Sequence, residues 1–135
     1  MTDEIKKNLI EAASTVRENS YSPYSHFKVG AALLTDNDQI FMGTNVENAS
    51  YGGTVCAERI AIFSSISAGE KNIKAIAIVA DTDEPCSPCG FCRQVMSEFM
   101  KPDGLVIMTN LKRQTLEKTV SEILPLAFSK DDFVK

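Results

Sequence analysis

Four cysteines and one glutamate hold the chemically most loaded positions of this chain. Cys56 and Glu58 lie in Thr54-Val55-Cys56-Ala57-Glu58-Arg59, and further on comes Pro85-Cys86-Ser87-Pro88-Cys89-Gly90-Phe91-Cys92-Arg93-Gln94. Thiolates are soft ligands that suit zinc. Three protein ligands leave a tetrahedral ion one position for water, whereas four close it. A carboxylate two residues beyond a ligand stands where it can move protons. The cysteines offer two overlapping registers, Cys86/Cys89 and Cys89/Cys92. A closed structural site of all four is the rival arrangement, and it leaves Glu58 without a purpose.

Two helix starts must position these groups. Residues 56–68, with Ala57, Ile60, Ala61, Ile62, Phe63 and Ile66, read as a helix apolar nearly all round and therefore buried, closed by Gly69 as a C-terminal cap. Residues 74–80 are a short apolar run, the pattern of a strand covered on both faces. A second helix starts at Cys89 or Gly90 and runs to Met100 with Val95, Met96, Phe99 and Met100 inward. Lys101-Pro102-Asp103-Gly104 stops it, and a strand follows over 105–108. Strand, helix, strand implies a parallel crossover, which puts Cys89 and Cys92 beyond a strand's carboxyl end, where open α/β sheets place their sites.

The remaining elements frame that unit. Residues 3–19 carry Ile5, Leu9, Ala12, Ala13 and Val16 on one face of an amphipathic helix, which the segment around Pro23 ends. A hairpin follows, with strands over 27–35 and 39–46 and a turn at Asp36-Asn37-Asp38. His26, the only histidine, reads as a polar residue at the mouth of the first strand. The segment 45–54 is a loop rich in Gly, Asn and Ser, and 112–119 suits a last strand. Thr119-Val120-Ser121-Glu122 fits a capping box for a short terminal helix.

Composition narrows the function classes. At 135 residues and 44% hydrophobic, the chain fits one domain over 1–135. Its net charge is -4 and no basic stripe is visible, so nucleic acid is not the expected partner. No apolar run approaches membrane-spanning length, so no membrane association is expected. The charged, amphipathic N-terminal segment is unlike an export signal, and four cysteines in that setting favour metal ligation or free thiols. The expected location is cytoplasmic.

The layout as a whole matches a described one. A thiolate, a carboxylate two residues on and a proline-flanked Cys-x-x-Cys is the pattern of zinc deaminases that use three ligands and a non-ligating Glu. With Phe27-Lys28-Val29-Gly30-Ala31-Ala32, Asn45-Val46-Glu47-Asn48-Ala49-Ser50-Tyr51 and Leu124-Pro125-Leu126-Ala127-Phe128, the chain closely resembles the small homotetrameric cytidine deaminases, from the first helix to about Phe128. The resemblance implies an α/β fold of three layers, α/β/α, with a mixed sheet of roughly five strands. It selects Cys56, Cys89 and Cys92 as ligands of one Zn2+ per chain and leaves Cys86 a bystander. It implies a nucleoside substrate, with Asn45 and Glu47 at the ribose, Phe27 against the pyrimidine, Ala57 and Pro88 reading the base edge through their backbones, and Tyr51 among the substrate-binding positions. Phe128 becomes the aromatic that a neighbouring subunit lays over the base, in a homotetramer whose active sites are shared.

The chemistry follows from these assignments. Zinc lowers the pKa of water, and Glu58 carries a proton from that water to ring N3 and then to the departing amino group. Three thiolates outweigh the ion by one negative charge. Arg59 is expected to offset this by hydrogen bonding a ligand sulfur, helped by two helix N-termini. The expected reaction is hydrolysis of cytidine and 2'-deoxycytidine to uridine and 2'-deoxyuridine with loss of ammonia, in pyrimidine salvage. A deaminase of a blasticidin-type nucleoside antibiotic and a non-catalytic zinc module are the alternatives.

Overall fold

β1 (Val29–Thr35) and β3 (Ile73–Ala80) are buried along almost their whole length, as continuous apolar strands are when helices cover both faces of a sheet. The computed structural model describes residues 1–133, and Val134 and Lys135 lie outside them. With β2 (Ile40–Thr44), β4 (Met100–Asn110) and β5 (Thr115–Thr119) these strands form one sheet of order β2-β1-β3-β4-β5. β3 and β4 pair in parallel and the other neighbours are antiparallel, so the sheet is mixed.

Alternation along the strands assigns the helices to their faces. Ala32, Leu34, Ala75, Ala77, Val79 and Ile107 turn to one side, where Leu9 and Ala13 of α1 (Asp3–Arg17) cover them. Leu33, Ile76, Ile78, Val106 and Met108 turn to the other. There they meet Ala61 and Ile62 of α2 (Ala57–Ser67), Met96 of α3 (Gly90–Phe99), and Val120 and Ile123 of α4 (Val120–Ile123). The result is the expected three layers. Among the described residues no helix is long and apolar enough to cross a membrane.

Local signals mark several boundaries. Gly69 follows α2 at φ 88, with its N–H on Ile66 O and that of Glu70 on Ser65 O, the bonds of a left-handed C-terminal cap. The Thr119/Glu122 capping box is present at the start of α4. Two expectations need correction. Lys101–Gly104 does not separate helix from strand. Met100 already pairs with Ile73 and Leu105 with Ala75, so the Pro-Gly segment bulges out within β4, where Pro is tolerated. Nor is α2 buried all round: Phe63 is 44% exposed, because this chain alone places nothing over that face.

Glycine at 43 sets how closely α2 approaches the sheet. A Cβ there would lie 2.5 Å from Ala61 N and 2.6 Å from Ala57 O, both backbone atoms of the helix. Gly43→Ala therefore forces α2 outward. It is expected to cost about 1–3 kcal/mol in a denaturant melt, the usual range for overpacking. Because Ala57 lies beside Cys56, the variant should also release zinc faster than wild type; unchanged stability and zinc retention would show that the helix yields without strain.

Candidate metal centre and active site

The helix starts bring three sulfurs together. Cys56 is the N-cap of α2 and Cys89 that of α3, while Cys92 sits in the first turn of α3 and is fully buried. Neither N-cap side chain closes its helix with a hydrogen bond, and both sulfurs stand at helix N-termini, the positive ends of the helix dipoles. Cys56 and Cys89 are 3.7 Å apart, Cys89 and Cys92 3.5 Å, and all three Sγ atoms lie within 4.8 Å of one another. Ligands 2.3 Å from a tetrahedral zinc stand about 3.8 Å apart, so the cluster fits that ion with little adjustment.

The sulfurs share charge unequally. The nearby Cys92 thiol, with Arg59 and Cys89, pulls the Cys56 thiol down to about 5 against the effect of burial, and the same proximity pushes Cys92 up. Arg59 Nη2 lies 3.5 Å from Cys56 Sγ, the contact expected of a side chain that offsets thiolate charge. Glu58, on the first turn of α2, is 4% exposed. Burial above all, and then the charge of Cys56, raises its carboxyl to about 7, against a hydrogen bond from its own backbone amide and weaker pulls from Cys92 and Arg59. A carboxyl so placed takes up and gives back a proton near neutral pH.

Cys86 lies outside the cluster. It packs against the hydrophobic core, and burial, with Glu58 and Cys56 nearby, pushes its thiol up to about 11. The closed four-cysteine site is therefore not formed. His26 is exposed, has φ 57, and takes no part in the cluster.

The groups expected at the substrate have structural duties of their own. Asn45 accepts from Val29 N (2.9 Å) and from the Ser20 hydroxyl, and it donates to Phe27 O at 2.7 Å. Glu47 accepts from the amides of Tyr24 and Ser25, at 2.9 and 3.1 Å, and from the Ser25 hydroxyl. These bonds hold its carboxyl below the usual carboxylate range, the Ser25 hydroxyl most of all. Both side chains fasten the segment that carries Phe27, whose ring is 41% exposed. Ala57 is the first residue of α2, and its amide lies outside the helical ladder. The Pro88 carbonyl accepts from Arg93 Nε at 2.9 Å, so one of its lone pairs is engaged. Tyr51, 75% exposed, meets Tyr24 edge to face. Phe128 is also exposed, packs edge to face on Phe133, and has its carbonyl held by Gln94 of α3.

One contributor escaped the sequence reading. Asn110, at the end of β4, is fully buried. It donates to Thr82 O (2.9 Å), Asp83 O (3.3 Å) and Gln114 Oε1 (2.7 Å), and accepts from Gln114 N. Its neighbour's carbonyl, Thr109 O, receives Cys86 N at 3.1 Å. Together they anchor the loop that delivers Cys89. An Asn after an apolar run reads as a turn residue, so only its distant partners reveal this role. Asn110→Leu removes the bonds of a fully buried side chain to Thr82 O, Asp83 O and Gln114 and is expected to cost about 1–3 kcal/mol in chemical denaturation, with faster zinc loss to a chelator; a variant as stable and zinc-retentive as wild type would remove the anchor role.

Comparison with known proteins agrees with this geometry. The sequence model of the cytidine and deoxycytidylate deaminase zinc-binding region matches residues 3–109. A cytidine deaminase of Sporosarcina psychrophila is 50% identical over 126 residues, 93% of either chain. A more distant relative, the blasticidin-S deaminase of Bacillus cereus, is 32% identical over 131 residues, 91% of either chain. Among solved structures, the cytidine deaminase of Burkholderia pseudomallei superposes with a TM-score of 0.89 at 49% identity, covering 95% of this chain and all of that one. Fold, cysteine cluster and sequence thus lead to one conclusion: the chain belongs to the cytidine and deoxycytidylate deaminase family and carries its zinc-binding region.

Proposed function

We propose that the protein hydrolyses cytidine and 2'-deoxycytidine to uridine and 2'-deoxyuridine with release of ammonia, as a step of pyrimidine salvage. The observation that carries this reading is Glu58, a residue only 4% exposed, two positions from Cys56 and near the sulfur of Cys92. When bound by Cys56, Cys89 and Cys92, zinc supplies the Lewis acidity that lets a water lose a proton near neutral pH.

Glu58 takes that proton and hands it to ring N3 as oxygen joins C4. It then collects the proton of the new C4 hydroxyl and delivers it to the amino nitrogen. The C4–N bond breaks, ammonia leaves, and the ring keeps its N3 proton and a C4 carbonyl. One carboxyl serves both transfers because the second reverses the first. Arg59 balances the surplus thiolate charge through Cys56.

Phe27 lies against the pyrimidine, while Asn45 and Glu47 present amide and carboxylate groups to the sugar. The Ala57 amide, the free lone pair of the Pro88 carbonyl and Tyr51 complete the contacts. Phe128 acts in a neighbouring copy. Its exposure and that of Phe63 support a homotetramer with shared sites, since a single chain leaves both uncovered. Four free cysteines suit work in the cytoplasm.

The test is to mix zinc-replete protein with cytidine and follow loss of the cytosine absorbance, with ammonia measured in parallel. Stoichiometric uridine and ammonia are expected. Turnover of blasticidin S without turnover of cytidine, or of neither, would overturn the assignment.

A further inference from the structure

Arg59 is held from two directions. One end of its guanidinium reaches the Cys56 sulfur at 3.5 Å, and its carbon lies 4.2 Å from the centroid of the Phe91 ring. Phe91 stands between Gly90 and Cys92 in the first turn of α3, the helix start that brings two of the three sulfurs. The Nε of Arg59 is buried and has no hydrogen-bond partner among the described residues. A guanidinium that has lost water on one edge gains most from electron density offered elsewhere, and an aromatic face supplies it. Phe91 is 64% exposed within this chain, so inside one subunit its place rests on the contact with Arg59 and not on burial of its own apolar area.

We propose that Phe91 is a positioning residue for the metal centre, its ring clamping Arg59 from α3 against the thiolate of Cys56 on α2. The clamp rests on the reading of Arg59 as the counter-charge of the cluster. Without the ring, the long Arg59 side chain regains its freedom in water and the sulfurs lose part of their compensation. Leucine at 91 keeps apolar bulk without a π face, whereas tyrosine keeps the face.

The experiment uses zinc-loaded and cobalt-loaded protein. Phe91→Leu should release zinc to a chelator about two- to tenfold faster than wild type, the range set by a partly desolvated cation–π contact. Its thiolate-to-cobalt absorption should move to longer wavelength, because sulfurs with less compensation give up electrons more readily. Phe91→Tyr should stay within about twofold of wild type. The Phe91→Leu effect should vanish in an Arg59→Gln background. A Phe91→Leu protein that matches wild type in release and spectrum overturns the clamp, as does equal loss in the Tyr variant or a full Leu effect without Arg59. Arg59→Gln alone separates the two readings. If it alters neither release nor spectrum, the role of Arg59 falls; if it alters them and Phe91→Leu does not, only the ring's role falls.

Discussion

Glu58→Gln is expected to keep its zinc and lose about 10²–10⁴-fold or more in turnover, the range of a positioned acid–base group. The substitution preserves shape and hydrogen-bonding reach but removes the ability to take and return a proton. Its magnitude distinguishes two explanations of why a carboxylate begins α2. Acidic groups favour helix N-termini by about 0.3–1 kcal/mol, a factor of less than ten. An electrostatic cap of that kind explains a small change in stability and no large change in rate. The side chain is 4% exposed and beside Cys56 and Cys92, which fits a proton carrier better than a solvated cap. Metal analysis of the purified variant, together with its turnover of cytidine, checks both halves. Activity within tenfold of wild type, with zinc retained, would reduce Glu58 to a cap.

Cys92→Ala should abolish both metal binding and activity. Cys92 is the buried sulfur of the three, in the first turn of α3, and it also packs in the core against the sheet. Loss of its volume costs about 1 kcal/mol. Loss of the ion costs more, because zinc binds the folded chain and adds about 4 kcal/mol when present at a thousand times its dissociation constant. Wild type should therefore melt at a markedly lower temperature once stripped by a chelator, whereas Cys92→Ala should melt low with or without one. Cys86→Ala serves as the contrast: its sulfur stands outside the cluster, so zinc and activity should persist. A Cys92→Ala protein that still carries one zinc per chain, or a Cys86→Ala protein that loses it, would redraw the ligand set.

Only the Cys89/Cys92 half of the cluster is local: a ligand at an N-cap and another one turn on converge whatever the rest of the chain does. Cys56 joins from α2, 33 residues before Cys89, and the choice of these three over Cys86 rests on the family resemblance. Gly69 and the Thr119/Glu122 box were legible because they too are local. The bulge in β4 was not, since Lys-Pro-Asp-Gly has the chemistry of a turn, and only the pairing of Met100 with Ile73 tells that the strand has already begun. Exposure of Phe63 was hidden too: periodicity reports which side chains are apolar, not whether a neighbour covers them. The bond of Asn110 to Thr82 and the engagement of Asn45 by Val29 and of Glu47 by Tyr24 span 16 to 28 residues, separations no local pattern encodes.

The double duty of Asn45 and Glu47 has a consequence for selectivity. The side chains proposed to meet the sugar also fasten the backbone on either side of Phe27, the ring proposed to meet the base. Sugar and base recognition are then a single cooperative event. A hydroxyl that settles on Glu47 stiffens the support of the aromatic face, so sugar affinity is converted into alignment of the ring carbon under attack. Free cytosine lacks that lever, and it should fail in the rate of the bound complex as well as in affinity.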